Sequence, residues 1–243
     1  MNEILFDIIF ALVIGIVIAI IASVKSTRTK ALIYSLPIPM TLALIATGGH
    51  VNTSHIIGLF LVTLFLWFVT YLKSKGAHIV VADIIAAIAY IGAGYLMITY
   101  THIPFFVAFA VYVILWLLFI SFYREKKFKE SRKKVAKVSP LIKFPIVSIV
   151  AFVLLNLKSL LSGVIVTFPF SGVFAVIETQ NMLRTLSATF ARNSLGMLIF
   201  FTTIYLADDL GLVAKLIIGW AVYLVALKLI TTFVTFRTPR LTN

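Results

Sequence analysis

Long apolar runs alternate with short polar stretches along the whole chain. Residues 6–24 hold no charge after Asp7, and residues 102–123 hold none at all. Each run approaches the roughly 20 residues that a helix needs to cross the hydrocarbon of a bilayer. The pattern predicts nine transmembrane spans, at about 4–24, 31–47, 54–72, 79–99, 102–123, 140–157, 160–178, 189–206 and 211–235. The fold class expected is therefore an all-α polytopic membrane protein, with 1–243 as a single transmembrane domain. The first run carries Glu3 and Asp7 ahead of it and Lys25 and Arg28 behind it. It lacks a basic start and a small-residue cleavage site, so it reads as a retained helix.

Charge adds orientation. The chain has 21 Lys and Arg against 8 Asp and Glu, a net charge of +13. Such a balance could point to nucleic acid, but the basic residues sit at the ends of apolar runs, so no nucleic-acid partner is expected. They gather in alternate loops: Lys25, Arg28 and Lys30; Lys73 and Lys75; a dense group from Arg124 to Lys143; Arg184 and Arg192; and Arg237 and Arg240. The loops between hold only Lys158 and Lys215, and Lys228 lies inside the last span. Cytoplasmic loops carry the excess of Lys and Arg. This alternation places the N-terminus outside and the C-terminus in the cytoplasm. The stretch 124–138 reads as a basic cytoplasmic linker that touches anionic lipid headgroups.

Composition confirms the class, with 62% hydrophobic and 12% charged residues, where a soluble domain is nearer half apolar and a quarter charged. With no cysteine, disulfides, thiolate metal sites and cysteine nucleophiles are excluded. His50 and His55 make a weak metal pair without a carboxylate in their loop, so no metal and no cofactor are expected. The signatures of zinc proteases, nucleotide-binding loops and serine hydrolases are absent, and the chain reads as a non-enzyme.

The chain carries a weak internal repeat. Residues 31–47, ALIYSLPIPMTLALIAT, align with residues 163–179, GVIVTFPFSGVFAVIET. Ile33 matches Ile165, Pro37 matches Pro169, Ala43 matches Ala175, Ile45 matches Ile177, Thr47 matches Thr179, and Ser35 nearly matches Thr167. Two four-helix repeats follow, 1–100 and 140–243, with 101–139 as connecting helix and basic linker. Five spans separate the matched segments, so the second repeat would be inverted in the membrane, as in many secondary transporters. The stretches SLPIPMTLALIAT and TFPFSGVFAVIET resemble the proline-containing segment of the GlpM-like small bacterial inner-membrane proteins, which have four helices. The resemblance covers residues 31–47 and 163–179 and the helix count, while this chain is about twice as long and adds a basic linker. It implies a multi-pass protein of the bacterial cytoplasmic (inner) membrane and carries over no activity.

Proline inside a span removes a backbone donor and clashes with the preceding turn. In lipid the freed carbonyls need partners, so broken helices face protein or a water-filled cavity. Matched interruptions in two halves point to a midplane binding site. The candidate substrate-binding residues are therefore Ser35, Pro37, Pro39 and Thr41 in span two and Thr167, Pro169 and Ser171 in span seven. Glu178, at the end of span seven, is expected to pair with Arg192 and to couple a proton or cation. Arg184, in the loop, and Arg192 could hold an anionic group or could snorkel to the headgroups. Asp83 and His78 read as an interfacial polar pair, with a proton-relay role for Asp83 as the alternative, and Asp208-Asp209 as a helix N-cap. Small residues at Ala82, Ala86, Gly94, Gly211 and Gly219 predict close helix packing.

The function these features favour is a secondary transporter or translocator of a small or lipid-linked solute. Its site would lie between broken helices two and seven, with coupling through Glu178. The competing class is a non-transporting membrane subunit or scaffold for envelope assembly. In that case the basic linker would hold a partner subunit or a second copy of the chain.

Overall fold

The computed structural model describes residues 3–22, 36–125, 139–161 and 163–234, and these are helical with no strand. Eleven helical segments run in chain order among them: α1 (Glu3–Ala22), α2 (Ile38–Ala46), α3 (Thr53–Ser74), α4 (Ile79–Tyr100), α5 (Phe105–Glu125), α6 (Pro140–Asn156), α7 (Lys158–Leu161), α8 (Gly163–Val166), α9 (Phe170–Glu178), α10 (Leu183–Leu206) and α11 (Leu212–Phe233). Four of them, α1, α3, α4 and α11, are long and apolar enough to cross a membrane. Helix α6 and the apolar part of α5 are shorter. The chain is a helical membrane protein.

Local chemistry sets the boundaries. Asn52 begins α3 with a capping box: its side chain accepts from the Ser54 N–H at 3.1 Å, and the Asn52 N–H donates to His55 Nδ1 at 3.1 Å. Ser139 caps α6, whose first residue is Pro140, where a missing N–H does no harm. Gly48 and Gly49, at φ 90° and 75°, end α2, and the Gly49 N–H donates back to the Leu44 carbonyl at 2.8 Å.

Two of the expected spans are not continuous helices. Among its described residues span two is helical only in α2, nine residues long, and residues 31–35 of that span lie outside the described residues. Span seven is interrupted at residues 167–169, between α8 and α9. Proline is the cause in both, since Pro37 and Pro169 stand as N-caps of α2 and α9. Span eight starts earlier than its apolar pattern, at Leu183, so Arg184 belongs to the first turn of a helix rather than to a loop. Helix α10 tolerates this polar start because it is an interior helix. Its Ser187, Asn193 and Ser194 are buried in protein.

The packing has a centre and a rim. Helices α3 and α10 cross antiparallel at the centre: Ser187 donates to the Leu66 carbonyl at 3.4 Å, while His55 and Phe201 meet near the other end, ring centroids 5.3 Å apart. Helix α5 lies antiparallel to α10, with Phe105 stacked on Tyr205 at 3.8 Å and Trp116 Nε1 donating to the Arg192 carbonyl at 3.3 Å. Helices α1 and α6 form a second antiparallel pair, with Gly15 seated against Ser148 and Phe144, and Lys158 at the start of α7 meets Asp7 at 3.1 Å. Outside, Leu5, Ile88, Ile114, Ile149 and Leu224 stay exposed, the apolar surface that lipid would cover.

Candidate functional site

The two half-helices α2 and α9 start in the interior and run to opposite ends of the bundle. The turn after α2 leads to His50, which meets Asp208 just beyond α10. Helix α9 ends at Glu178, which meets Lys143 in the first turn of α6. Their first turns share a pocket of about 30 Å³, lined by Pro39 and Met40 from α2, Pro169 and Gly172 from α9, and Val62 and Phe168 among others. Every lining residue is apolar, so the space, about the volume of one or two waters, offers a water few partners. The positive ends of two helix dipoles face the same small volume.

The second break is dry and fully braced. Thr167 is completely buried, and its hydroxyl donates to the Val164 carbonyl at 3.1 Å, with Gly163 O at 3.3 Å. Tyr90 of α4 also donates to Val164 O, at 2.9 Å, and lies 2.9 Å from Thr167 Oγ1. Phe168 N–H donates to Ile165 O at 3.0 Å, the carbonyl that Pro169 leaves without its helical donor. Gly58 of α3 lies against the break; a Cβ there would overlap the Thr167 hydroxyl. The first break is lighter. The Pro37 carbonyl accepts from the Thr41 N–H at 2.8 Å and from its hydroxyl at 2.7 Å, and Trp220 of α11 donates to that hydroxyl at 3.1 Å. The bracing is reciprocal: Tyr90, before α5, holds the later break, and Trp220, after it, holds the earlier one.

Of the expected site residues, the pocket brings together Pro39 and Pro169. Pro37 is buried beside it. Thr41 and Thr167 spend their hydroxyls on the protein's own backbone. Ser35 lies outside the described residues, and Ser171 falls in the first turn of α9. Glu178 does not line the pocket; it ends α9, about one turn beyond the lining residue Ala175. Its carboxylate accepts from Lys143, and the two side chains are 3% and 0% exposed. The Lys143 ammonium also stands 5.8 Å from the centre of the Phe174 ring. Arg184 is exposed at the start of α10, and Arg192, two turns further, donates to Asn193 Oδ1 at 3.1 Å.

Sequence reasoning missed Lys143, Tyr90 and Trp220. Lys143 counts with the cytoplasmic basic group although it falls within span six, among Leu141, Ile142 and Phe144, the sign of a lysine inside a helix. Two other expectations change. Asp83 and His78 are no pair: His78 is exposed ahead of α4, and Asp83 is buried within it. Asp208 does not cap α11, whose N-cap is Gly211. Instead Asp208 accepts from Lys215 at 2.9 Å and lies 3.1 Å from His50 Nδ1. The Lys215 hydrogen bond holds the Asp208 carboxyl below the usual carboxylate range, outweighing desolvation with the help of the Lys215 and His50 charges. Among the described residues no three His, Asp or Glu side chains gather as metal ligands. Comparison with family models, with characterised proteins and with solved structures finds no match, so the GlpM-like resemblance stands on the two proline motifs and the helix count.

Proposed function

We propose that the chain is a secondary transporter or translocator of a small or lipid-linked solute. The observation that carries this reading is the pocket shared by the first turns of two oppositely directed half-helices. Discontinuous helices meeting near the bilayer midplane are the recurrent substrate site of secondary transporters. Apolar walls suit the apolar part of a solute, and the two helix starts favour a negative or polar group beside it.

The same features support two inverted repeats in nine spans, α1–α4 and α6–α11, with α5 as connector. Helices α2 and α9 are each nine residues long, each begins after a proline, and each ends at a threonine. Thr47 Oγ1 donates to Ala43 O at 3.0 Å, and Thr179 Oγ1 donates to Ala175 O at 2.6 Å. The basic end, with Lys73, Lys75 and Arg184, faces the cytoplasm of a bacterial inner membrane in this reading. The Lys143–Glu178 pair then closes the cytoplasmic end. Removing the Glu178 charge would leave a buried ammonium unbalanced, so coupling through Glu178 would act by releasing α9 from α6.

The chain has no native cysteine, which makes the test direct. Single cysteines at Met40 and Thr167 are challenged with a membrane-impermeant thiol reagent in right-side-out and in inside-out vesicles. Labelling of Met40→Cys from both sides is the expected result, and Glu178→Gln should raise labelling from the cytoplasmic side. Labelling from neither side, while control cysteines at Gly76 and Gly211 react, would remove the transporter reading. A second reading, a non-transporting scaffold subunit, is favoured by the complete bracing of the second break, and it would then lead.

A further inference from the structure

Asp83 stands apart from the other buried charges. It is 2% exposed, and its Oδ1 has no hydrogen-bond partner. Among the described residues, the other buried acids and lysines all have an ion partner: Asp7 with Lys158, Glu178 with Lys143, and Lys215 with Asp208. An ionised carboxylate away from water and without a partner costs several kcal/mol, whereas a neutral acid costs far less.

The setting of Asp83 links it to the site. It shares the buried stripe of α4 with Ala82, Ala86, Tyr90 and Gly94. Tyr90 is seven residues on, about 10 Å along the same face. Gly94 packs against Val164, and Tyr90 bonds the Val164 carbonyl. Helix α4 also packs against α9, whose first turn lines the pocket. Ionisable side chains on the neighbouring helices are His55, Tyr71 and Lys73 of α3, Lys158 of α7 and Glu178 of α9. None of them bonds Asp83 Oδ1. Lys158 and Glu178 are held by Asp7 and Lys143, and His55 lies at the opposite end of α3.

We propose that Asp83 is a proton-binding site whose occupancy sets the position of α4 and, through Tyr90, of the second helix break. With the proton bound, α4 packs as seen here. When the proton leaves Asp83 for water, the carboxylate must find solvent or a cation, and α4 moves. A metal cation is disfavoured as the ligand because it needs several oxygen donors, and among the described residues no three His, Asp or Glu side chains gather as metal ligands. The inference rests on the transporter reading for its purpose, since it makes the coupling ion a proton.

The test uses the full-length protein in liposomes. Infrared difference spectra between acid and alkaline pH should show a carboxylic C=O band that Asp83→Asn abolishes and that Asp7→Asn and Glu178→Gln retain. Asp83→Glu should keep the band at a shifted frequency, which guards against a folding defect in the first variant. Absence of the band, or its survival in Asp83→Asn, overturns the proposal. A second readout is the labelling of Met40→Cys as a function of pH, which should lose its pH dependence in the Asp83→Asn background. Labelling from both sides that ignores pH would overturn the proton site and leave the transporter standing. A titrating Asp83 band with a pocket closed from both sides would support the site and remove the transporter reading.

Discussion

The half-helices α2 and α9 have the same length and the same proline start, yet they are fixed differently. Helix α9 is tied at both ends: Tyr90 and Thr167 brace its start in a dry interior, and the Lys143–Glu178 pair holds its finish. Helix α2 starts on one half-buried threonine and finishes in a Gly48-Gly49 turn. Ala46 stands where α9 has Glu178. A buried bond is strengthened by low dielectric and is expensive to lose, and a half-buried bond can be replaced by water. The later half-helix is therefore the more firmly held and moves only when its ties at Tyr90 and Glu178 are released, whereas the earlier one has the weaker restraints.

The difference can be broken most strongly at the finish of α9. Lys143→Met should cost about 3–5 kcal/mol, because Glu178 would be left buried without its ammonium. The double variant Lys143→Met, Glu178→Met should recover most of that loss. Unfolding in detergent measures both. A silent single variant would mean that the two finishes are energetically alike.

At the starts the contrast is smaller. Tyr90→Phe leaves the Val164 carbonyl with fewer donors in a dry site and should cost about 1–3 kcal/mol. Thr41→Val, at the half-buried break, should cost about 0.5–1.5 kcal/mol. Equal losses in the same unfolding assay would erase the distinction between the breaks.

The smallest effect concerns the tie after α2. The Asp208 carboxyl is held below its ordinary range in the folded protein, so its contribution is complete above that range. It disappears as the pH falls through the depressed folded value. A melting series from neutral to acid pH should show a modest fall that Asp208→Asn abolishes. The group is exposed, so the fall should shrink further at high salt.

The breaks were legible because proline acts locally. Pro37 and Pro169 remove a donor wherever the chain goes, and α2 and α9 begin beside them. The partners that heal the breaks were not legible, since Tyr90 and Trp220 lie 77 and 179 residues from the threonines they touch. Lys143 was misplaced for the same reason. Its charge suits a cytoplasmic linker, and only the approach of α9 to α6 shows that it is buried against Glu178.

The sequence by itself determined a helical membrane protein, the positions of its long apolar helices and the two interruptions. Those follow from composition, periodicity and backbone chemistry, which act over one or two turns. Tertiary structure alone decided which charges are paired, that Asp83 is buried with an unpartnered oxygen, and that two proline turns share one pocket. These depend on which helix faces approach, and approach is set by packing between segments far apart in the chain.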